Sequence, residues 1–70
     1  MKEIDARGFA CPMPVIMVQK EVKAANPKEI EVLVDNRTAV ENISRFAGHA
    51  GYEISVQPDG EDFSLKLTKG

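Results

Sequence analysis

Along the first six positions apolar and charged residues alternate. Ile4 and Ala6 fall on one side, Glu3 and Asp5 on the other, and this two-residue period predicts a short strand over Lys2 to Ala6. After the Arg7-Gly8 loop signal the period lengthens. Val15, Val18, Val22 and Ala25 recur three and four apart, with Gln19, Lys20 and Lys23 on the wet side. That spacing predicts an amphipathic helix opening at Cys11-Pro12 and ending at Asn26-Pro27. Glu29 to Asp35 is dense in β-branched and long apolar residues and reads as a second strand. Thr38 and Glu41 have the spacing of a capping box, in which hydroxyl and carboxylate each satisfy an early helix amide. The helix they open has Ala39, Ile43, Phe46, Ala47 and Ala50 on its apolar face and Gly51 as its C′ stop. Tyr52 to Val56 reads as a strand, Pro58-Asp59-Gly60 as a turn, and Phe63, Leu65 and Leu67 alternate in a last strand.

The resulting order is β-α-β-α-β-β. Right-handed crossovers put both helices on the same face, so the expected fold is α/β: a two-layer open sandwich, two helices on one face of a four-stranded mixed sheet. A chain of 70 residues makes residues 1–70 a single domain, and 43% apolar content supports a thin core.

Charge and cysteine usage narrow the function classes. Nine basic and eleven acidic residues, a formal charge of −2, alternate along the chain without a basic tail, which argues against direct nucleic-acid binding. The first five residues hold charges and no apolar h-region, so no signal peptide is expected. The longest uncharged run, Gly8 to Gln19, contains two prolines and is too short to span a bilayer, so no membrane partner is expected. The single cysteine excludes an internal disulfide and suits a reducing, cytoplasmic compartment. No metal site and no cofactor motif is evident.

That cysteine lies in the run GFACPMPVI. Helical periodicity puts Cys11 at or beside the N-cap, Pro12 at the first helical position and Pro14 within the first turn, where a missing N–H is harmless. The amides of Met13 and Val15 and the positive end of the helix then favour a thiolate. Arg7 adds positive charge if the loop folds back, and Gly8 permits a tight approach. The expected thiol pKa is below about 8.5. Apolar Phe9, Met13 and Ile16, or the Asp5 carboxylate, would push it the other way. The alternative is that Cys11 is a small buried hydrophobe and the prolines merely shape a loop. Cap positions are usually exposed, which weighs toward a reactive thiol.

Other candidates are weaker. His49, the only histidine, stands near the end of the second helix, where favourable charge at the helix C-terminus accounts for it. Met13, Ile16 and Met17 are either core or a soft apolar collar for docking proteins. Arg37 and Arg45 are either partner contacts or ordinary solvated cations.

The stretch Asp5-Ala6-Arg7-Gly8-Phe9-Ala10-Cys11-Pro12-Met13-Pro14 resembles the signature of the TusA/SirA-like family of small sulfur-carrier proteins. The resemblance covers nearly all of the chain. It implies strand order 1-2-4-3 and a sulfurtransferase-like relay. Cys11 would accept sulfane sulfur as a persulfide from a donor such as a cysteine desulfurase and pass it to the thiol of an acceptor protein. Pro12 and Pro14 carry over as the helix-start frame, and Asp5 and Gly8 as parts of the shaping loop. The stretches Asp35 to Asn42 and Ser44 to Ala47 resemble the N-terminal domain of the YedF-like branch, which is associated with selenium or general sulfur metabolism and often precedes a DsrE-like domain. Two other classes stay open: a non-catalytic regulatory or protein-interaction module, and a thiol redox protein. The second would need a resolving cysteine from a partner.

Overall fold

A computed structural model of the chain describes residues 2–9 and 13–69. Cys11 and Pro12, and with them the predicted helix opening, lie outside the described residues. Six elements follow in the expected order: β1 (Lys2–Asp5), α1 (Met13–Ala25), β2 (Glu29–Val34), α2 (Arg37–His49), β3 (Tyr52–Asp59) and β4 (Asp62–Lys69). The four strands form one mixed sheet in the order β1-β2-β4-β3, parallel between β1 and β2 and antiparallel elsewhere. Both helices pack on it.

The register explains the core. Ile4, Val32 and Leu65 are cross-strand partners in one row, and Ile30 and Leu67 in the next. Strand alternation sends all of them to the face that the helices cover. Val18 of α1 and Ala39, Ile43 and Ala47 of α2 close that core from above, and all are buried. Val15, Met17 and Val22 pack against its margin. Ala25, placed by periodicity on the buried stripe, is exposed in the last turn of α1 because the helix has there run past the core. Asn26 then ends α1 in the left-handed region, φ 44°, with its amide still bonded to the Val22 carbonyl at 2.9 Å.

Two local expectations are corrected. The cap of α2 is Asn36, not Thr38: Asn36 is extended (φ −154°, ψ 156°) and its side chain accepts from the Ala39 amide at 2.8 Å. Thr38 and Glu41 lie inside the helix. The chain leaves β2 at Val34, Asp35 accepts from the Gly8 amide, and the adjacent Asn36 is the strong capping side chain that turns onto the helix. Asn36→Ala should therefore lower stability by about 1 kcal/mol and Thr38→Ala by less than half of that, read from urea-melt midpoints. The second correction is the turn. β3 runs through Pro58 to Asp59, paired with Asp62, which narrows the turn to Gly60-Glu61. Gly60 takes φ 64°, the positive value that a two-residue hairpin needs at its first position. Pro58 is tolerated because β3 is an edge strand. The predicted stop of α2 stands: Ala50 caps it and Gly51 follows at φ 91°. No helix among the described residues is long and apolar enough to cross a membrane.

Candidate functional site

The fold brings the end of β1, the end of β2, the start of α2 and the β3–β4 turn to one edge of the molecule. The segment that leads into Cys11 leaves β1 at this edge. Its first residues are held from three sides. The Arg7 guanidinium pairs with both Asp5 oxygens, Nε to Oδ1 at 2.9 Å and Nη2 to Oδ2 at 3.0 Å. Its Nη1 reaches Asp62 of the hairpin at 3.4 Å. The Arg7 amide also donates to Asp5 Oδ1 at 3.2 Å. The Gly8 amide donates to Asp35 Oδ2 at 2.8 Å, across 27 residues of sequence. Asp35 Oδ1 accepts from the Asn36 side chain at 3.0 Å, and Asn36 in turn caps α2. A continuous chain of bonds thus links the motif loop to the second helix. Gly8 takes φ 84°, a conformation that a side chain would strain.

The electrostatics follow from these contacts. Hydrogen bonds from the Arg7 side chain and then its amide pull the Asp5 carboxyl down to about 2. Asp5, with help from Asp62, pushes the Arg7 guanidinium above its ordinary value. The Gly8 amide, and then the Asn36 side chain, lower the Asp35 carboxyl. All three side chains are solvent-exposed, so these bonds add little net stability. What they fix is the path of the loop. The Arg7 guanidinium turns onto two carboxylates, Asp5 and Asp62, that counter its charge.

The remaining candidates separate. Met13 is 41% exposed at the described start of α1, and Phe9 is 44% exposed in the loop before it. Pro14 is buried, Ile16 is half-buried, and Met17 packs against the core, so of the suggested collar Met13 and part of Ile16 are exposed, with Phe9 exposed beside them. Arg37, at the first position of α2, lies 5.6 Å above the Phe63 ring. Arg45 is exposed on α2, and His49 is exposed at its last position, away from this edge. Sequence reasoning missed Asp35 and Asp62 as loop contacts. An acidic residue just before a strong N-cap is a faint signal for the first; nothing local signals the second. No group of three metal-ligating side chains gathers among the described residues.

Similarity to known proteins agrees with this architecture. The family described as Sulfurtransferase TusA matches residues 2–69. A putative sulfur carrier protein of Methanocaldococcus jannaschii is 39% identical over 71 residues, covering 99% of this chain and 95% of that protein. The putative sulfur carrier protein YrkF of Bacillus subtilis is 29% identical, covering 96% of this chain and 37% of its own length. The crystal structure of a SirA-like protein from Desulfitobacterium hafniense matches with a TM-score of 0.88 at 30% identity, covering 100% of this chain and 99% of that one.

Proposed function

This chain belongs to the TusA sulfurtransferase family, and from that membership we propose that Cys11 carries sulfane sulfur as a persulfide and relays it to an acceptor protein. The Cys11 thiolate attacks the outer sulfur of a donor persulfide, one S–S bond forms as another breaks, and the donor leaves as a thiolate. In the second step an acceptor thiolate attacks the outer sulfur on Cys11, and Cys11 leaves as the thiolate. The two exchanges are redox-neutral and need no cofactor. The donor is a protein that makes persulfides, such as a cysteine desulfurase. The acceptor is a protein thiol serving sulfur or selenium metabolism, in keeping with the resemblance of residues 35–42 to the YedF-like branch. The lone thiol suits a reducing cytoplasm.

The observation that carries this reading is the run Asp5-x-x-Gly8-x-x-Cys11-Pro12-x-Pro14, with the Gly8 amide anchored on Asp35 at 2.8 Å. In the proposed site Cys11 is the nucleophile. Pro12 and Pro14 set the start of α1, whose first amides lack intrahelical partners and favour a thiolate. Asp5, Arg7 and Gly8 shape the loop. Met13, Ile16, Arg37 and Arg45 are the candidates for contact with donor and acceptor.

The test is incubation with a cysteine desulfurase and cysteine, followed by intact-mass measurement. One sulfur atom should add to the protein, be lost on reduction, and fail to add to Cys11→Ser. No adduct from any sulfane donor, or an adduct that survives Cys11→Ser, overturns the relay. A stable mixed disulfide with the donor in place of added sulfur would assign the chain to thiol redox chemistry.

A further inference from the structure

The helices cover one face of the sheet, and the register determines what stands on the other. In its four cross-strand rows Glu3, Asp5, Glu29, Glu31, Glu53, Asp59 and Asp62 share that face with a single cation, Lys66. Asp5 is offset by Arg7 and Glu31 has Lys66 as its partner across the β2–β4 pair, while Glu3 on the edge strand has only Glu31 as its direct partner. Like charges so placed repel, and a cation seated between them relieves the repulsion. The same face is concave there. Glu3, Ile4, Asp5, Glu31 and Leu33 line a depression of about 370 Å³, with half-buried Leu33 as its apolar element. The helix layer has the opposite character, Lys20, Lys23, Arg37 and Arg45 outnumbering Glu21 and Glu41. The formal charge of −2 therefore conceals two faces of different sign.

We propose that the uncovered sheet face around Glu3, Glu31 and Leu33 is a docking surface for a partner protein segment that presents lysine or arginine on either side of an apolar side chain. Charge complementarity selects the cations, and the Leu33 depression receives the apolar group. Nucleic acid and anionic membranes are repelled from this face. A second copy of the chain could offer only its basic helix layer. Such a contact uses two different surfaces, so it would build rings or open chains, which sedimentation detects. The occupant assigned on charge complementarity is a different protein, and self-association is the competing outcome of the test. The test of this surface involves no sulfur transfer.

The test is a titration of ¹⁵N-labelled protein with a synthetic Lys-Leu-Lys-Leu-Lys peptide, followed by amide shifts, with Lys-Ser-Lys-Ser-Lys as the polar control. Shifts should concentrate at residues 3–5, 31–33 and 64–66 and spare both helices, and the serine peptide should bind more weakly. Glu3→Gln with Glu31→Gln should weaken binding by at least about fivefold. Glu41→Gln with Glu61→Gln removes equal charge elsewhere and should leave it within about twofold. Shifts centred on the helix layer or the hairpin tip, equal weakening by both double variants, or equal binding of the two peptides overturns the proposal. So does sedimentation showing that the free protein self-associates through the sheet face.

Discussion

Ile43→Ala is expected to remove most of the net stability of this domain. A single core in a chain of this size supplies roughly 3–5 kcal/mol, while deleting a buried isoleucine side chain down to alanine costs about 2–5 kcal/mol. Ile43 is fully buried on α2 and belongs to the same cluster as Val18, Val32, Leu65 and Leu67. Its neighbours one turn away on the buried face of α2 are Ala39 and Ala47, both themselves buried. Two alanines cannot swing into the vacated space, so the cavity stays and the upper part of the cost range applies. The urea midpoint should fall sharply with an unchanged slope. Arg45→Ala, exposed on the same helix, should stay within about 0.5 kcal/mol of the parent. A loss below about 1 kcal/mol in Ile43→Ala would show that α2 contributes far less to the core than its burial implies.

Much of this architecture is legible in the chain because each element announces its period. The alternation Ile4/Ala6 against Glu3/Asp5 and the three-four spacing of Ala39, Ile43 and Ala47 both report a buried face, and the structure buries those residues. The misreadings arise where two local signals compete. Thr38-x-x-Glu41 and Asn36 are both valid helix starts in sequence; the end of β2 at Val34 decides between them. Pro58 reads as a turn residue until it is known that β3 is an edge strand, a fact set by strand order and not by any residue near Pro58. The order 1-2-4-3 itself came from family resemblance.

The loop before Cys11 shows the other limit. Its intrinsic signals, Gly8 and the two prolines, are visible in sequence, whereas its anchors are Asp35 and Asp62, 27 and 55 residues from their partners. No period links such positions. They meet because parallel pairing sets Asp5 beside Leu33, while antiparallel pairing sets Val34 beside Phe63. Register, once formed, puts Asp35 under the Gly8 amide and Asp62 within reach of Arg7.

Asp35→Ala is accordingly expected to slow sulfur loading of Cys11 by about tenfold while leaving the fold in place, because small displacements of a reacting group carry penalties of that size or larger. The variant removes the acceptor of the Gly8 amide but keeps Asn36 as the cap of α2, so thermal stability should change little. Asp35→Asn separates positioning from charge. Its side-chain oxygen can still accept from Gly8, so loading should recover to near the parent rate. A negative charge acting only through space would give the opposite pattern: both variants would lower the alkylation midpoint of the thiol and neither would slow loading. The contact has its own pH signature. The Gly8 amide lowers the Asp35 carboxyl from its ordinary 3.8, so the anchor is fully present above that pH and fades as pH falls below it. The Gly8 amide proton shift should therefore titrate with a midpoint below 3.8, and that transition should vanish in Asp35→Asn. A midpoint at or above the ordinary value, or loading that Asp35→Ala leaves untouched, would mean that the loop holds its path without this carboxylate.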